Sequence, residues 1–188
     1  MKNYFLYDTQ PVNLKILPEK ELEEALLSNE ADVVIADDRC LQPQDSLGLK
    51  HIPILSEQLL LLVPKDHELA DQRRVNLADM QKYSIMQLNT NIWLQKIIDL
   101  NSVELDLSWS VDSETWNYYW NSYSGDIPIC FDTSASFVTH EALQARQKKC
   151  SILKVEGEYT NRMLYLWYFD KNEKMLETFL HCVKLAFR

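Results

Sequence analysis

Two periods of apolar residues run through this chain. Between Glu19 and Asn29, Leu22, Ala25, Leu26 and Asn29 fall at i, i+3, i+4 and i+7, which predicts an amphipathic helix with acids in its first turns. Asn13–Leu17 alternates before Pro18 and predicts a short strand, and Asp32–Ala36 is an apolar strand of the buried, parallel type. Strand, helix and strand make a βαβ unit, whose helix is the crossover that parallel strands require. Asp38–Lys50 is a polar loop, His51–Leu55 and Glu57–Pro64 are strands, and Lys65–Gln81 is irregular with Asn76 capping a turn. Tyr83–Leu88 is a strand, followed by a helix with Trp93, Leu94, Ile97 and Ile98 on its apolar stripe. Val103–Val111 alternates strictly, with Val103, Leu105, Leu107, Trp109 and Val111 on one face. Ser113 caps a helix over Glu114–Ser124; strand Asp126–Phe131, helix Ser134–Lys148, strands Ser151–Val155 and Arg162–Phe169, and helix Glu173–Phe187 complete the series.

Alternating helices and strands predict an α/β fold with mainly parallel sheets. The apolar pattern forms two half-units separated by Gln58–Lys82, and the last strand can return to the first half. The expectation is therefore one lobe over residues 1–57 and 160–188, a second over 58–159, and strands crossing between them. Such a fold presents loops for ligands at the carboxyl ends of its strands.

Composition removes several functions. Nineteen Lys and Arg against 28 Asp and Glu in 188 residues give a net charge of −9, and no cation lies between Ile97 and Ala145. A surface of that kind repels phosphate, so this chain alone is not expected to bind nucleic acid. Gly48, Gly125 and Gly157 lie too far apart for a dinucleotide fingerprint or a P-loop. The longest apolar run, Leu59–Pro64, is far short of the ~18 residues of a membrane span. The first residues lack a signal-peptide pattern, so a cytoplasmic protein is expected. Cys40, Cys130, Cys150 and Cys182 are scattered without metal-ligand spacing, and neither a metal site nor a cofactor is expected.

The segment from Glu57 to Ala70, containing Val63-Pro64-Lys65-Asp66-His67-Glu68-Leu69-Ala70, is followed by Val75-Asn76-Leu77-Ala78-Asp79-Met80. Here the chain resembles the effector-binding domain of LysR-type transcriptional regulators, with their "His-x-Leu-Ala" turn and "Val-x-Leu-x-Asp-Leu" segment. Leu26–Ala36 is similar to the family's third strand and the helix end before it, and Ser110–Ile129 to a later strand, helix, glycine and strand. The resemblance runs in order from about Pro11 to Phe187. It implies a two-lobed fold like that of type II periplasmic binding proteins, a small-molecule effector, and homodimers or higher homo-oligomers. The family's winged helix-turn-helix and linker helix have no counterpart in the sequence, and neither does its first strand–helix corner. The expectation is an excised or truncated regulatory domain, with DNA contact residing in an absent domain.

Three strand-to-helix corners are candidate effector contacts: Asn89-Thr90-Asn91, Asp112-Ser113, and Asp132-Thr133. Helix starts offer free N–H groups to a polar ligand; each corner also reads as a plain helix cap, the favoured reading at Ser113 and Ser134. The acids at the second and third corners favour a neutral or cationic effector over a dianion. Trp116, Tyr119, Trp120 and Tyr123 line one helix face. That stripe reads as core by periodicity, and as a dimer interface by the resemblance. His51, His67, His140 and His181 have no catalytic company, and no enzyme is expected. The leading function is ligand sensing and dimerisation in transcription regulation. A transporter's solute-binding protein and a ligand-free interaction module are the alternatives.

Overall fold

Leu59 to Val63, five consecutive apolar residues, are all buried, and they divide by parity. Leu59, Leu61 and Val63 pack into one core cluster, and Leu60 and Leu62 into another. A strand shows alternate side chains to opposite faces, so this run belongs to a sheet covered on both sides. At about 2 kcal/mol for each large aliphatic side chain buried, the run is a major source of stability.

The computed structural model describes residues 21–41, 48–88, 92–121, 127–137 and 140–186, with Asn13, Lys15, Leu17 and Gly125. Its elements are α1 (Leu22–Leu27), β1 (Val34–Asp37), β2 (Leu49–Pro64), β3 (Arg74–Asn76), β4 (Ser84–Leu88), α2 (Ile92–Asn101), β5 (Asp106–Val111), α3 (Ser113–Asn121), β6 (Cys130–Thr133), α4 (His140–Lys149), β7 (Cys150–Glu156), β8 (Asn161–Phe169) and α5 (Glu177–Ala186). Short 3-10 turns cover Leu77–Lys82, Ser134–Phe137 and Asp170–Asn172. The chain forms two compact units, 1–56 with 163–188, and 57–162.

In the first unit β1 runs antiparallel to β8, with Val34 opposite Trp167. Tyr165, Trp167 and Phe169 pack on one face with Leu26 of α1, and Leu164, Leu166 and Tyr168 on the other with Leu176 and Leu180. In the second unit the strands lie in the order β2-β6-β4-β5. β4 runs parallel to β5 and to β6, and β3 parallel to β7. Helix α2 carries the chain from β4 to β5 and α3 from β5 to β6, which is what parallel neighbours need. β2 runs antiparallel to both β6 and β7. The sheet is therefore mixed, with parallel pairing where helices make the crossovers. Trp93, Leu94 and Ile97 of α2 cover one face, and Trp116 and Trp120 of α3 the other.

Several elements differ from their sequence expectation. The two strands expected over His51–Pro64 are one strand of 16 residues, continuous through Ser56. β5 begins at Asp106 rather than Val103, and Trp109 on it is 50% exposed. β5 ends the strand order, so its outer side has no neighbouring strand among the described residues. Asn76 precedes a 3-10 turn but makes no side-chain cap bond. Asn13, Lys15 and Leu17 carry no strand, and the rest of that expected strand lies outside the described residues.

Candidate functional site

The parallel ladder of the second unit sets β4 between β5 and β6, all three running the same way. β4 ends at Leu88, which pairs with Val111 at the end of β5, and Met86 pairs with Cys130, the first residue of the four-residue β6. Asp112, just after β5, and Asp132-Thr133, which close β6, therefore lie on either side of the β4 end. Asn89, Thr90 and Asn91, the central corner, lie outside the described residues.

Asp112, not Ser113, caps α3. Its carboxylate accepts the Thr115 N–H at 2.7 Å, and Ser113 is already the first helical residue. The longer Asp side chain reaches back over the first turn from the last extended position. The Thr115 N–H bond holds the Asp112 carboxyl below the usual carboxylate range. Asp112 is exposed and stays anionic at neutral pH.

Asp132 lives in the opposite environment, at 6% exposed. Its Oδ1 accepts the Thr133 N–H at 2.8 Å and the Ser136 hydroxyl at 2.5 Å. Those bonds fold the backbone over as β6 turns into the 3-10 segment Ser134–Phe137. The Ser134 hydroxyl in turn accepts the Gln58 N–H at 2.8 Å, tying this corner to β2. Burial pushes the Asp132 carboxyl up, and its two hydrogen bonds and the charge of Arg146 act against that rise. Thr133 is half-buried.

Arg146, which sequence reasoning passed over, is the cation of this site. It sits on α4 just before the Lys148-Lys149 pair, where a basic helix end reads as solvated surface. Its guanidinium instead lies over the Trp120 ring, 4.0 Å from the centroid. The Cys150 thiol donates to the Arg146 carbonyl at 3.2 Å. The Lys149 ammonium donates to the Tyr119 and Trp120 carbonyls at 3.2 and 3.1 Å. Helix α4 thus grips the last turn of α3, where cations complement the helix dipole. The only sequence hint was a strand-end Asp132 with no cation nearby in the chain.

The aromatic stripe resolves by burial. Trp116 and Trp120 pack into the chain's own core, with rings edge-on at 5.9 Å. Tyr119 is half-buried, and Tyr123 lies outside the described residues. Cys130 and Cys150 share that core. Burial pushes the Cys130 thiol well up and the Cys150 thiol to about 12, so both stay protonated and weakly nucleophilic at neutral pH. Among the described residues no group of three or more His, Cys, Asp and Glu is arranged to hold a metal ion. No helix of the described residues is long and apolar enough to cross a membrane.

Comparison with known proteins places this geometry. Residues 7–117 match the family described as the LysR substrate binding domain. No curated protein matches the chain. Among solved structures, the regulatory domain of CcmR from Synechocystis PCC6803, in complex with 2-PG, is similar over 100% of this chain and 88% of its own, with TM-score 0.67 and 17% identity. The reduced regulatory domain of OxyR from Pseudomonas aeruginosa is similar over 87% of this chain and 77% of its own, with TM-score 0.58 and 14% identity. Full-length CbnR bound to its target DNA is similar over 92% of this chain, with TM-score 0.56 and 14% identity, and this chain spans 56% of its length. The chain shares their two-lobed, type II periplasmic-binding-like fold.

Proposed function

The chain belongs to the LysR substrate-binding domain family, and from that premise we propose that it senses a small effector within a transcriptional regulator whose DNA contacts lie in another domain. The observation that carries the reading is the meeting of the Asp112 and Asp132-Thr133 corners on either side of the β4 end. Ligands of open α/β sheets bind beyond the carboxyl ends of strands. Thr133 and the two aspartates supply a hydroxyl and acceptors at that edge. The reading includes Asn89, Thr90, Asn91 and Ser113 as contacts. With carboxylates on both flanks, the effector is neutral or cationic rather than dianionic. The activity is binding, not catalysis, and the site of action is the cytoplasm, where a regulator meets its DNA.

Self-association is the second part of the proposal. Trp116 and Trp120 are engaged in the core, so the interface is formed by the large apolar residues left in solvent. Among the described residues these are Leu27, Ile35, Met175 and Leu185 in the first unit, and Leu100, Trp109 and Tyr118 in the second. Apolar side chains of this size on a protein surface mark interaction sites when they cluster.

The test is a screen of the purified chain by thermal melting against amino acids, organic acids, polyamines and sugars, with Thr133→Ala and Asp112→Asn beside it. A stabilising compound whose affinity falls by up to about tenfold in Thr133→Ala supports the site. No stabilisation by any class removes the sensing reading and favours the ligand-free interaction module.

A further inference from the structure

Among the described residues, three buried side-chain polar atoms have no hydrogen-bond partner: Trp120 Nε1, Asp132 Oδ2 and Arg146 Nε. A buried unsatisfied group is destabilising and rare, so each one asks for an explanation. Arg146 and Trp120 are in contact, and Asp132 lies on the strand face that Trp120 covers. By the two-residue alternation of β6, Asp132 projects to the same face as Cys130, the face that Trp120 covers. Arg146 lies over the Trp120 ring at 4.0 Å, and its charge acts on Asp132, Cys130 and Cys150. The remaining Asp132 oxygen is already saturated by Thr133 and Ser136, so only Oδ2 faces the cluster unpaired.

The chemistry of the three atoms specifies a guest. The indole N–H and the guanidinium Nε–H are donors and call for an acceptor oxygen. Asp132 Oδ2 is an acceptor and calls for a donor. The fixed charges on the three side chains are one negative and one positive; the Lys149 ammonium sits on the Trp120 carbonyl, the Glu57 carboxylate also acts on Asp132, and the two thiols, held protonated by burial, add none. A simple anion meets the Asp132 carboxylate, and a simple cation leaves both donors unpaired beside a guanidinium. A small molecule with a cationic donor at one end and a carboxylate at the other satisfies all three.

We propose that the Trp120–Asp132–Arg146 cluster binds a small amino-acid zwitterion, its ammonium on Asp132 and its carboxylate on Trp120 and Arg146. This rests on the effector-sensing reading and gives it a ligand class. It also adds Trp120 and Arg146 to the contacts expected from the strand ends.

The probes are the twenty standard amino acids, with acetate and methylammonium as half-molecule controls and the organic acids, polyamines and sugars above as other classes. Binding is read by calorimetry on the whole chain and on two conservative variants. Asp132→Asn keeps an Oδ1 for Thr133 and Ser136 but loses the charge. Trp120→Phe keeps a ring beneath Arg146 but loses the N–H. At least one amino acid is expected to bind, with neither half-molecule matching it. Its affinity should fall by about tenfold or more in Asp132→Asn and by about fivefold in Trp120→Phe, as expected for one charge-assisted and one neutral hydrogen bond. Circular dichroism checks that both variants are folded; should one unfold, the other decides. An amino acid bound equally well by wild type and the folded variants overturns the proposal. So does a ligand found only among the other classes, a result that leaves effector sensing intact. Silence from every class overturns both.

Discussion

Asp132 and Asp112 carry the same functional group at equivalent strand ends, and their surroundings drive them in opposite directions. Asp112 is exposed and hydrogen-bonded at a helix start, which favours its charge; Asp132 is buried, which disfavours it. Because the folded state raises the Asp132 pKa, the unfolded chain releases that proton first as pH climbs. The wild type therefore has its full Asp132 contribution below about pH 3.9, the ordinary aspartate value, and loses it as pH rises through the raised value. Asp132→Asn should gain stability relative to wild type between pH 3 and pH 7, measured by urea denaturation at each pH. A stability difference that is flat with pH would show an ordinary carboxyl. The sequence shows both residues at strand ends but not which one is buried, since burial depends on Trp120 and Arg146 arriving from other elements. Scarce glycine has a similar hidden consequence. The left-handed positions at the ends of α1 and α2 fall to Asn29 and Ser102, and a third to Tyr159, with φ of 57°, 50° and 60°. Helix ends without glycine are hard to read from sequence.

At the scale of elements, the parity of β2 and the apolar stripe of α2 were legible because each is local and periodic. The pairing of Glu57 with Arg162 was not, because it joins residues a hundred positions apart. Arg162 donates to one Glu57 oxygen from Nε and from Nη2, each at 2.7 Å, and both side chains are largely buried. The guanidinium also lies over Trp93, 4.2 Å from the ring centroid. Beside it, the Gln58 amide donates to the carbonyls of Leu59, Val155 and Thr160. Arg162→Met strands the Glu57 carboxylate in the interior and should cost about 3–5 kcal/mol in chemical denaturation. Adding Glu57→Leu should restore much of the loss, because the charge then leaves with its partner. A double variant as unstable as the single one would assign the loss to the Trp93 stack instead.

For the whole molecule, the order of elements and the α/β class followed from alternation, and the family from its succession of segments. The oligomer surface did not, because an aromatic stripe at helical spacing suits a core and an interface equally. Trp120→Glu puts a charge into the core and is expected to unfold the chain. Trp109→Lys is the discriminating change, since the side chain is half in solvent. Wild type is expected to sediment as a dimer at micromolar concentration, and Trp109→Lys to shift toward monomer with its melting temperature nearly unchanged. A strictly monomeric wild type, or a Trp109→Lys dimer as tight as wild type, would move the interface elsewhere. The Glu57–Arg162 pair has one more consequence. These are the first and last residues of the second unit, and their side chains touch. That unit enters and leaves the chain at a single point, as a parenthesis opens and closes within a sentence. Segment 57–162 is thus expected to behave as a cassette that folds when expressed by itself, closed by its own terminal ion pair, and a cooperative urea transition of the excised segment checks this.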